Sequence, residues 1–386
     1  MEALAMHIVI VNYGWHVALN DPSELLDRYE TLTGWAEALS AAGARVTVVQ
    51  RFGRDCSLER NGITYRFVRA CTPRQAGVLD WPLRIHRVVA ECRPDVVHVN
   101  GLLFARQAWM LQRMLGSEPI LVQDHANPPH TGLRARLGMK SALRRMDAVS
   151  FTALEQAEAW HESGLLDRNA RLFELLEGSS SFRLTPRSAA RAQTQLAGNP
   201  ACLWVGRLDA NKDPSTVLRG FARALPQLPD AHLTMIFDTV DLLPEIQKWL
   251  RESGPAGSHV TLKGPVPHKE LEAIYNSADI FLLGSHHEGS GYALLEAISC
   301  GVVPVVTDIP SFRKITGNAA IGGLWPVENV DALAWMLLDA WERYDVGTPE
   351  RIRSFFDERL SFGATAHQAL AAYRQLCTGE MERVPA

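Results

Sequence analysis

Short apolar runs alternate with longer amphipathic segments through the first half of the chain. The apolar runs are four to six residues long and lie between turn residues, which is typical of buried strands. The segments between them carry apolar residues at helical spacing, as in Leu32, Trp35, Ala36 and Leu39. This alternation predicts a parallel, doubly wound sheet. The predicted strands are 7–11, 46–49, 63–68, 95–101 with its turn, 120–125 and 148–151, and the predicted helices are 31–42, 81–92 and 103–115.

The alternation stops near residue 183 and starts again at Cys202. The intervening residues, 183–199, are polar and end in Gly198-Asn199-Pro200, so they are predicted to be a linker. Residues 1–182 and 200–362 are then two Rossmann-like domains of an α/β protein, and the last helix, 363–378, is expected to pack back on the first. The second domain has predicted strands at 202–205, 233–237, 260–263, 278–283 and 302–307, and predicted helices at 214–225, 243–251, 268–277, 292–300 and 330–344.

Composition narrows the class of protein without identifying it. The chain has 386 residues, 47% of them hydrophobic and 21% charged, with a net charge of −4. These values indicate globular domains and give no basic field that would attract nucleic acid. The six cysteines include no Cys-x-x-Cys pair, and no apolar run approaches the ~20 residues of a membrane span. The N-terminal residues lack the features of a signal peptide, so we expect a reducing, cytoplasmic location.

A glycine-rich loop between a strand and a helix is the first candidate site. Gly284, Gly289 and Gly291 lie between the apolar run 278–283 and the helix predicted from Tyr292. A helix N-terminus offers unpaired N–H groups, and glycine lets a phosphate approach the backbone. The carboxylates of Glu288 and Glu296 would be repelled by a phosphate and are better suited to sugar hydroxyls. The same pattern also fits an ordinary βα turn with Glu296 on a solvated helix face.

Two cations follow another predicted strand of the same domain. Arg207 and Lys212 lie five residues apart just after the strand 202–205. Arginine can hold two phosphate oxygens and lysine adds a point charge, so the pair suits a diphosphate. Taken alone, two such side chains are more often a solvated surface pair.

The two motifs together resemble the retaining glycosyltransferases of family 4, which have the GT-B fold. That family carries two glutamates separated by seven residues, as Glu288 and Glu296 are here, and a Gly-Arg-Leu loop followed by lysine, as in Gly206-Arg207-Leu208 and Lys212. The resemblance is good over about 200–320 and weaker in the first half. It implies two domains facing each other across a cleft.

The resemblance also implies roles for these residues. Arg207 and Lys212 would bind the donor diphosphate together with the backbone of Gly289, Ser290 and Gly291. Glu296 would bind the ribose hydroxyls, and Glu288 the hydroxyls of the transferred sugar. The donor would be a nucleotide-diphosphate sugar such as a UDP- or GDP-sugar, and a hydroxyl group would accept the sugar. The family mechanism retains configuration and needs no cofactor or essential metal.

The first half supplies the remaining candidates. His125, at the end of the predicted strand 120–125, resembles the family histidine near the reacting sugar, so His125 and Glu288 are the candidate catalytic residues; His125 could instead be structural. Asn12, Gly14, His98 and Asn100 also fall at the carboxyl ends of predicted strands and are candidates for the acceptor side. The family often has two glycines after the first strand, where only Gly14 stands here. A second departure is the run 237–239, where a glycine turn would be usual.

Two patterns in the sequence leave alternatives open. The stretch 134–145 holds five cations among apolar residues and fits either a solvated helix or a peripheral contact with an anionic membrane that carries a lipid acceptor. His286 and His287 are adjacent, with no third ligand at useful spacing, so no metal site is expected.

A nucleotide-sugar epimerase of the same fold, or a non-catalytic nucleotide-sugar-binding protein, remains an alternative function.

Overall fold

The chain forms two compact units. The computed structural model describes residues 5–14, 18–69, 81–129 and 132–379. One unit runs to Ser179 and takes in the residues from Phe362 onward, and the other comprises Ser180–Ser361. Each unit is built on its own sheet, with helices connecting the parallel strands.

The sheet of the first unit has eight strands in the described residues. They are β1 (His7–Asn12), β2 (Arg45–Phe52), β3 (Cys56–Arg60), β4 (Ile63–Arg69), β5 (Val96–Asn100), β6 (Ile120–Gln123), β7 (Ala148–Phe151) and β8 (Leu172–Glu174). Their spatial order is β3-β4-β2-β1-β5-β6-β7-β8, and each neighbouring pair is parallel except the β3–β4 hairpin. Because helices cover both faces of such a sheet, the central strands are continuous apolar runs, and Ile8, Val9, Ile10 and Val11 of β1 are fully buried.

In the part of the first unit that the structure describes, six α-helices connect these strands, and a seventh comes from the end of the chain. They are α1 (Pro22–Arg28), α2 (Glu30–Ala41), α3 (Leu83–Cys92), α4 (Ala105–Leu115), α5 (Leu133–Leu143) and α6 (Ala157–Glu162). Asp21 begins α1 by accepting hydrogen bonds from the N–H groups of Ser23 and Glu24. The seventh, C-terminal helix spans Phe362–Thr378 and packs on α2. A Cβ atom at Gly34 in α2 would lie 2.6 Å from the ring of Phe362, so only glycine fits this contact.

The second unit has a six-stranded, all-parallel sheet. Its strands are β9 (Ala201–Val205), β10 (His232–Ile236), β11 (Val260–Gly264), β12 (Ile280–Leu283), β13 (Val303–Thr307) and β14 (Gly323–Trp325), in the order β11-β10-β9-β12-β13-β14. Its helices are α7 (Arg187–Thr194), α8 (Pro214–Ala224), α9 (Leu243–Glu252), α10 (Pro255–Ser258), α11 (His268–Ser277), α12 (Tyr292–Ser299), α13 (Pro310–Thr316), α14 (Val330–Glu342) and α15 (Thr348–Arg359). The C-terminal helix Phe362–Thr378 is therefore α16.

Several elements differ from those that the sequence pattern predicts. The edge strands β3, β8 and β14 and the helices α6, α13 and α15 were not expected as such, because they are short or lack a long apolar face. The predicted linker, 183–199, lies within the second unit, where α7 packs on α11 and Arg191 donates to Asp279 at 2.6 Å. Residues 15–17 and 130–131 lie outside the described part of the chain, as do 70–80 and the side chain of Arg134.

Candidate active site

The donor-side candidates lie where the strand order of the second sheet reverses. The chain runs from β9 to β10 and β11 on one side, then returns to β12 beside β9 and continues to β13 and β14 on the other. In open parallel sheets, ligands bind at the carboxyl ends of the strands at such a switch point. The loops after β9 and β12 carry Arg207, Lys212 and the segment 284–291, so the topology brings both motifs to this edge.

Asn211 ties these two loops together. Its side-chain amide donates to the carbonyl of His287 at 3.0 Å, and its side-chain oxygen accepts from the N–H of His287 at 3.1 Å. Its own carbonyl accepts from the N–H of His286 at 2.8 Å. The backbones approach so closely that a Cβ atom at Gly284 would lie 3.0 Å from the carbonyl oxygen of Asp213. The two loops are therefore held together around Lys212 and Glu288.

Lys212 and Glu288 form an ion pair between the two loops, joining Nζ to Oε1. Only 14% of the Lys212 side chain and 12% of the Glu288 side chain are exposed. The backbone N–H of Lys212 donates to Asp209 at 3.0 Å. Arg207, whose side chain is 59% exposed, also contacts Asp209, at 3.2 Å. Both predicted phosphate ligands are thus held by acidic neighbours at the same edge, and the Lys212 ammonium is much the less exposed.

The segment before α12 brings buried backbone close to these side chains. Gly289, Ser290 and Gly291 are buried, and Gly291 has a φ of +59°, in the left-handed region that favours glycine. A Cβ atom there would also lie 2.7 Å from the ring of Phe312. The residue before α12 makes no side-chain capping hydrogen bond, which leaves first-turn N–H groups able to bind an anion.

Glu296 lies one turn further along α12 and is paired with a histidine from another helix. Its Oε1 is 2.8 Å from Nε2 of His268, at the start of α11, and 14% of its side chain is exposed. The His268 ring in turn packs against Phe182, with 5.1 Å between the ring centroids. This pairing fixes one oxygen of the carboxylate.

In the first unit, His125 lies in a tight turn after β6. Asp124 accepts from the N–H of Ala126 at 3.0 Å, and Ala126 has a φ of +56°, unusual for a residue with a side chain. Nδ1 of His125 lies 2.8 Å from Oε2 of Glu177, whose side chain is only 7% exposed. Nε2 of His125 is buried and has no hydrogen-bond partner in the described structure.

The acidic neighbours change the pKa values of this cluster. Burial alone would lower the pKa of His125, but the hydrogen bond to Glu177 and the charges of Glu177 and Asp124 raise it overall. Burial raises the pKa of Asp124 to about 6, and the charge of Glu177 adds to this effect. The turn therefore holds two groups, Asp124 and His125, whose pKa values favour proton exchange near neutral pH.

Comparison with known proteins identifies the family. The model of the Glycosyltransferase Family 4 domain matches residues 31–168, and that of Glycosyl transferases group 1 matches residues 187–354. A D-inositol 3-phosphate glycosyltransferase of Segniliparus rotundus is 30% identical over 327 residues, covering 76% of this chain and 70% of that protein. The chain belongs to the family 4 glycosyltransferases. It is a transferase of the GT-B class.

Another relative and two solved structures are similar to this chain. A GDP-mannose:cellobiosyl-diphosphopolyprenol alpha-mannosyltransferase of Xanthomonas campestris is 25% identical over 248 residues, or 62% of this chain and 63% of that protein. Sucrose-phosphate synthase of Thermosynechococcus elongatus has a TM-score of 0.67 at 20% identity, covering 97% of this chain and 100% of that one. The Anabaena protein HepE has a TM-score of 0.70 at 15% identity over 96% and 100%. The structural likenesses show the GT-B fold.

The acceptor-side candidates of this glycosyltransferase fall into two groups. Asn100 donates to Asn12 at 2.7 Å, across the switch point between β5 and β1, and Gly14 accepts from Gln50 at 2.7 Å. His98, in contrast, is fully buried, and its ring contacts Tyr373 of α16 at 2.5 Å and Gln123 at 3.0 Å. Burial lowers the pKa of His98 to about 4. We therefore correct the expectation for His98, because a neutral, enclosed ring supports packing and cannot contact an acceptor.

The basic stretch of this glycosyltransferase uses part of its charge internally. It forms much of α5, where Arg136 donates to the carbonyl of Ser163. Arg145 donates to Ser141 and lies 5.4 Å from the ring of Trp109. No helix in the described residues is long and apolar enough to cross a bilayer. A peripheral membrane contact through 134–145 and a cytoplasmic location both stay predictions.

No metal-ligand cluster is present in the part of the chain that the structure describes. His286 lies 3.5 Å from Asp213 and 4.0 Å from Glu328, but no group of three or more suitable side chains is arranged to hold an ion. The absence of an essential metal or cofactor stays a prediction for this family 4 enzyme.

The sequence patterns did not identify three residues of the site. Asn211, His268 and Glu177 each reach a predicted site residue through a contact between segments distant in sequence. The sequence offers one indication that Asn211 belongs to the site, which is that it directly precedes Lys212. His268 and Glu177 belong to no recognisable motif, so only the fold reveals them.

Proposed function

We propose that this enzyme transfers a sugar, with retention of configuration and without an essential metal, from a nucleotide-diphosphate sugar to a hydroxyl acceptor. The observation that carries the proposal is the convergence of Arg207, Lys212 and the start of α12 at the β9–β12 switch point. A diphosphate matches these cationic and N–H donor groups. Glu288 and Glu296 add hydroxyl-binding carboxylates on either side of the same helix start.

The family supplies independent support for this donor class. HepE is described in complex with UDP and with UDP and glucose, and an Escherichia coli protein of the same fold is described bound with UDP-2-fluoro glucose. The Xanthomonas relative is named for GDP-mannose. Uridine and guanosine diphosphate sugars are therefore the donors to examine first.

The second unit would stabilise the leaving group. As the bond from the anomeric carbon to the phosphate oxygen breaks, negative charge grows on the diphosphate, and Arg207, Lys212 and the backbone of Gly289, Ser290 and Gly291 stabilise it. Glu296, steadied by His268, would accept the ribose hydroxyls. Glu288 would accept hydroxyls of the transferred sugar.

The first unit would supply the catalytic histidine and the acceptor site. His125 would hydrogen-bond to the reacting sugar near its anomeric carbon. The acceptor oxygen then bonds to that carbon on the face from which the diphosphate leaves, and the acceptor proton passes to the leaving phosphate oxygen. Asn12, Gly14 and Asn100 remain the candidates for contact with the acceptor.

An assay with a panel of donors tests the proposal. Purified protein should release nucleoside diphosphate from one UDP- or GDP-sugar in the presence of a hydroxyl acceptor, and EDTA should leave the rate unchanged. NMR of the first-formed product should show the anomeric configuration of the donor. Release that stops in EDTA, or an inverted product, would contradict the metal-independent, retaining mechanism.

A further inference from the structure

His125 is anchored through one ring nitrogen only. Nδ1 lies 2.8 Å from the Glu177 carboxylate, whereas Nε2 is buried and has no hydrogen-bond partner among the residues that the structure describes. A histidine whose role were to hold the fold together would gain most by using both nitrogens, as His98 does with Tyr373 and Gln123. The one-sided arrangement leaves Nε2 to form a hydrogen bond with a bound molecule.

The position of Glu177 is fixed by the residue that leads into the His125 turn. Glu177 follows β8, and His125 follows β6, with β7 between these strands. The side chain of Gln123, the last residue of β6, donates to the carbonyls of Leu175 at 3.4 Å and Leu176 at 3.1 Å. Both partners of the His125–Glu177 pair are therefore held at one sheet edge by a buried amide.

We propose that Glu177 is a positioning residue for the transfer reaction, holding the proton on Nδ1 of His125 so that Nε2 points to the reacting sugar. The inference rests on the proposed function, because His125 is placed at the sugar there. Glu177 accepts the Nδ1–H bond, which sets both the tautomer and the ring orientation. When the ring is neutral, Nε2 accepts a hydrogen bond from a sugar hydroxyl; when the ring is protonated, Nε2 donates one.

The charges around His125 determine how the His125–Glu177 pair responds to pH. Glu177 and Asp124 raise the pKa of His125, and the buried, neutral His98 is the other titratable neighbour. The fold favours the protonated ring. Its contribution to the stability of the folded state is therefore complete below pH ~6.5 and is lost as the pH rises through the raised pKa of His125. Removing the charge of Glu177 should therefore move this transition to lower pH.

Glu177→Gln tests the role, because glutamine keeps the shape and removes the charge. We expect kcat to fall by roughly 10- to 100-fold, the range typical for outer-shell partners of a functional histidine. KM for the nucleotide sugar should stay within about 2-fold, since the proposed diphosphate ligands all belong to the other unit. The His125 transition in the pH profile should move to lower pH. Glu177→Asp, which keeps the charge, should recover part of the rate and restore the transition toward its original pH.

A surface ion pair of the same unit supplies the control. Glu158→Gln removes the partner of Arg168 at 2.7 Å, where both side chains are at least half exposed, and should change neither kcat nor the pH profile. Thermal unfolding of each variant corrects the rates for any loss of folded protein. A Glu177→Gln enzyme that keeps the wild-type kcat and pH profile, or loses rate only in proportion to unfolded protein, would overturn the inference.

Two further measurements separate this inference from the proposed function. If His125→Ala abolishes transfer and Glu177→Gln does not impair it, the function stands and the role of Glu177 fails. If the wild type transfers sugar from no donor, the function fails, and the NMR shifts of the His125 ring nitrogens still test the pair. We expect a fixed Nδ1–H tautomer in the wild type and its loss in Glu177→Gln; identical spectra would overturn the inference.

Discussion

Lys212 and Glu288 place opposite charges at the centre of the proposed donor site, and each neutralises the other in a largely buried contact. A diphosphate that reaches the Lys212 ammonium must compete with this carboxylate. The two residues should therefore affect nucleotide binding in opposite directions, although both belong to the same site.

Lys212→Ala should weaken binding of a nucleoside diphosphate by roughly 10- to 150-fold, since a charge-assisted contact contributes about 1.5–3 kcal/mol. Glu288→Gln should strengthen the same binding by roughly 3- to 10-fold. The substitution removes the carboxylate that competes with the diphosphate for the Lys212 ammonium, which should make the binding free energy more favourable by ~1 kcal/mol. Calorimetric titration with the nucleoside diphosphate measures both effects.

Titration with the bare nucleoside and with the full nucleotide sugar completes this test. Neither variant should change nucleoside binding, and Glu288→Gln should weaken binding of the nucleotide sugar, whose hydroxyls lose a carboxylate. Lys248→Ala, which removes an exposed cation from α9, serves as the matched control. Equal losses for nucleoside and diphosphate in Lys212→Ala would mean that Lys212 supports the fold and not the phosphates.

At this residue scale, sequence could identify side chains within motifs and not their partners. Local motifs indicate the chemistry of Arg207, Lys212, Gly291 and Glu296. The contact of Lys212 with Glu288 joins residues 76 positions apart, and that of His98 with Tyr373 joins residues 275 apart. No local pattern encodes such distances, so the burial of His98 could not be anticipated.

Between elements, Asn211 is the side chain that joins the loops after β9 and β12. Asn211→Ala removes its two side-chain hydrogen bonds to His287, at ~1 kcal/mol each. We expect faster amide hydrogen exchange in 284–291 and a several-fold weaker affinity for nucleoside diphosphate, because Glu288 and the start of α12 lose their support.

Asn329→Ala is the control for that loop prediction. Asn329 caps α14 by accepting from the N–H of Ala332 at 2.9 Å, so its loss should lower stability by a similar ~1 kcal/mol. It should leave exchange in 284–291 and diphosphate affinity unchanged. If both variants weaken the affinity equally, a general loss of stability explains the effect and Asn211 has no special role.

The elements that sequence predicts well are the buried ones. β1, β9 and β12 are uninterrupted apolar runs because both faces of a parallel sheet are covered. β14 has three residues, and β3 alternates half-buried with exposed positions at the edge of its sheet, so neither gives a strong pattern. Such edges depend on a neighbouring strand for their hydrogen bonds, and that neighbour appears only in the fold.

At the scale of the whole molecule, α16 completes a unit whose first part ends at Ser179, about 180 residues before the helix begins. Tyr373 is fully buried and lies against His98, with 5.9 Å between the ring centroids. Tyr373→Ala should destabilise the first unit by about 3–5 kcal/mol through the cavity it leaves. Hydrogen-exchange mass spectrometry should show lost protection in β5 and α2 and unchanged protection in β9–β14.

Phe221→Ala tests the same independence of the two units by destabilising the second unit instead of the first. Phe221 in α8 is 1% exposed and belongs to the core of the second unit, so its loss should reduce protection in β9–β14 and spare β5 and α2. If each variant reduces protection equally in both sheets, the two units unfold as a single cooperative body, and the division at residues 179 and 361 has no energetic meaning.

Because α16 belongs to the first unit, the order of synthesis and the order of folding differ in this chain. Domains generally fold as units while the ribosome extends the polypeptide. Residues 180–361 emerge complete before Phe362 is added, so the later-encoded unit can reach its native state first. The earlier one must wait for its final helix, with the surface that Tyr373, Leu370 and Leu376 will cover still exposed. A nascent chain stalled before α16 should therefore bind chaperones through its N-terminal half.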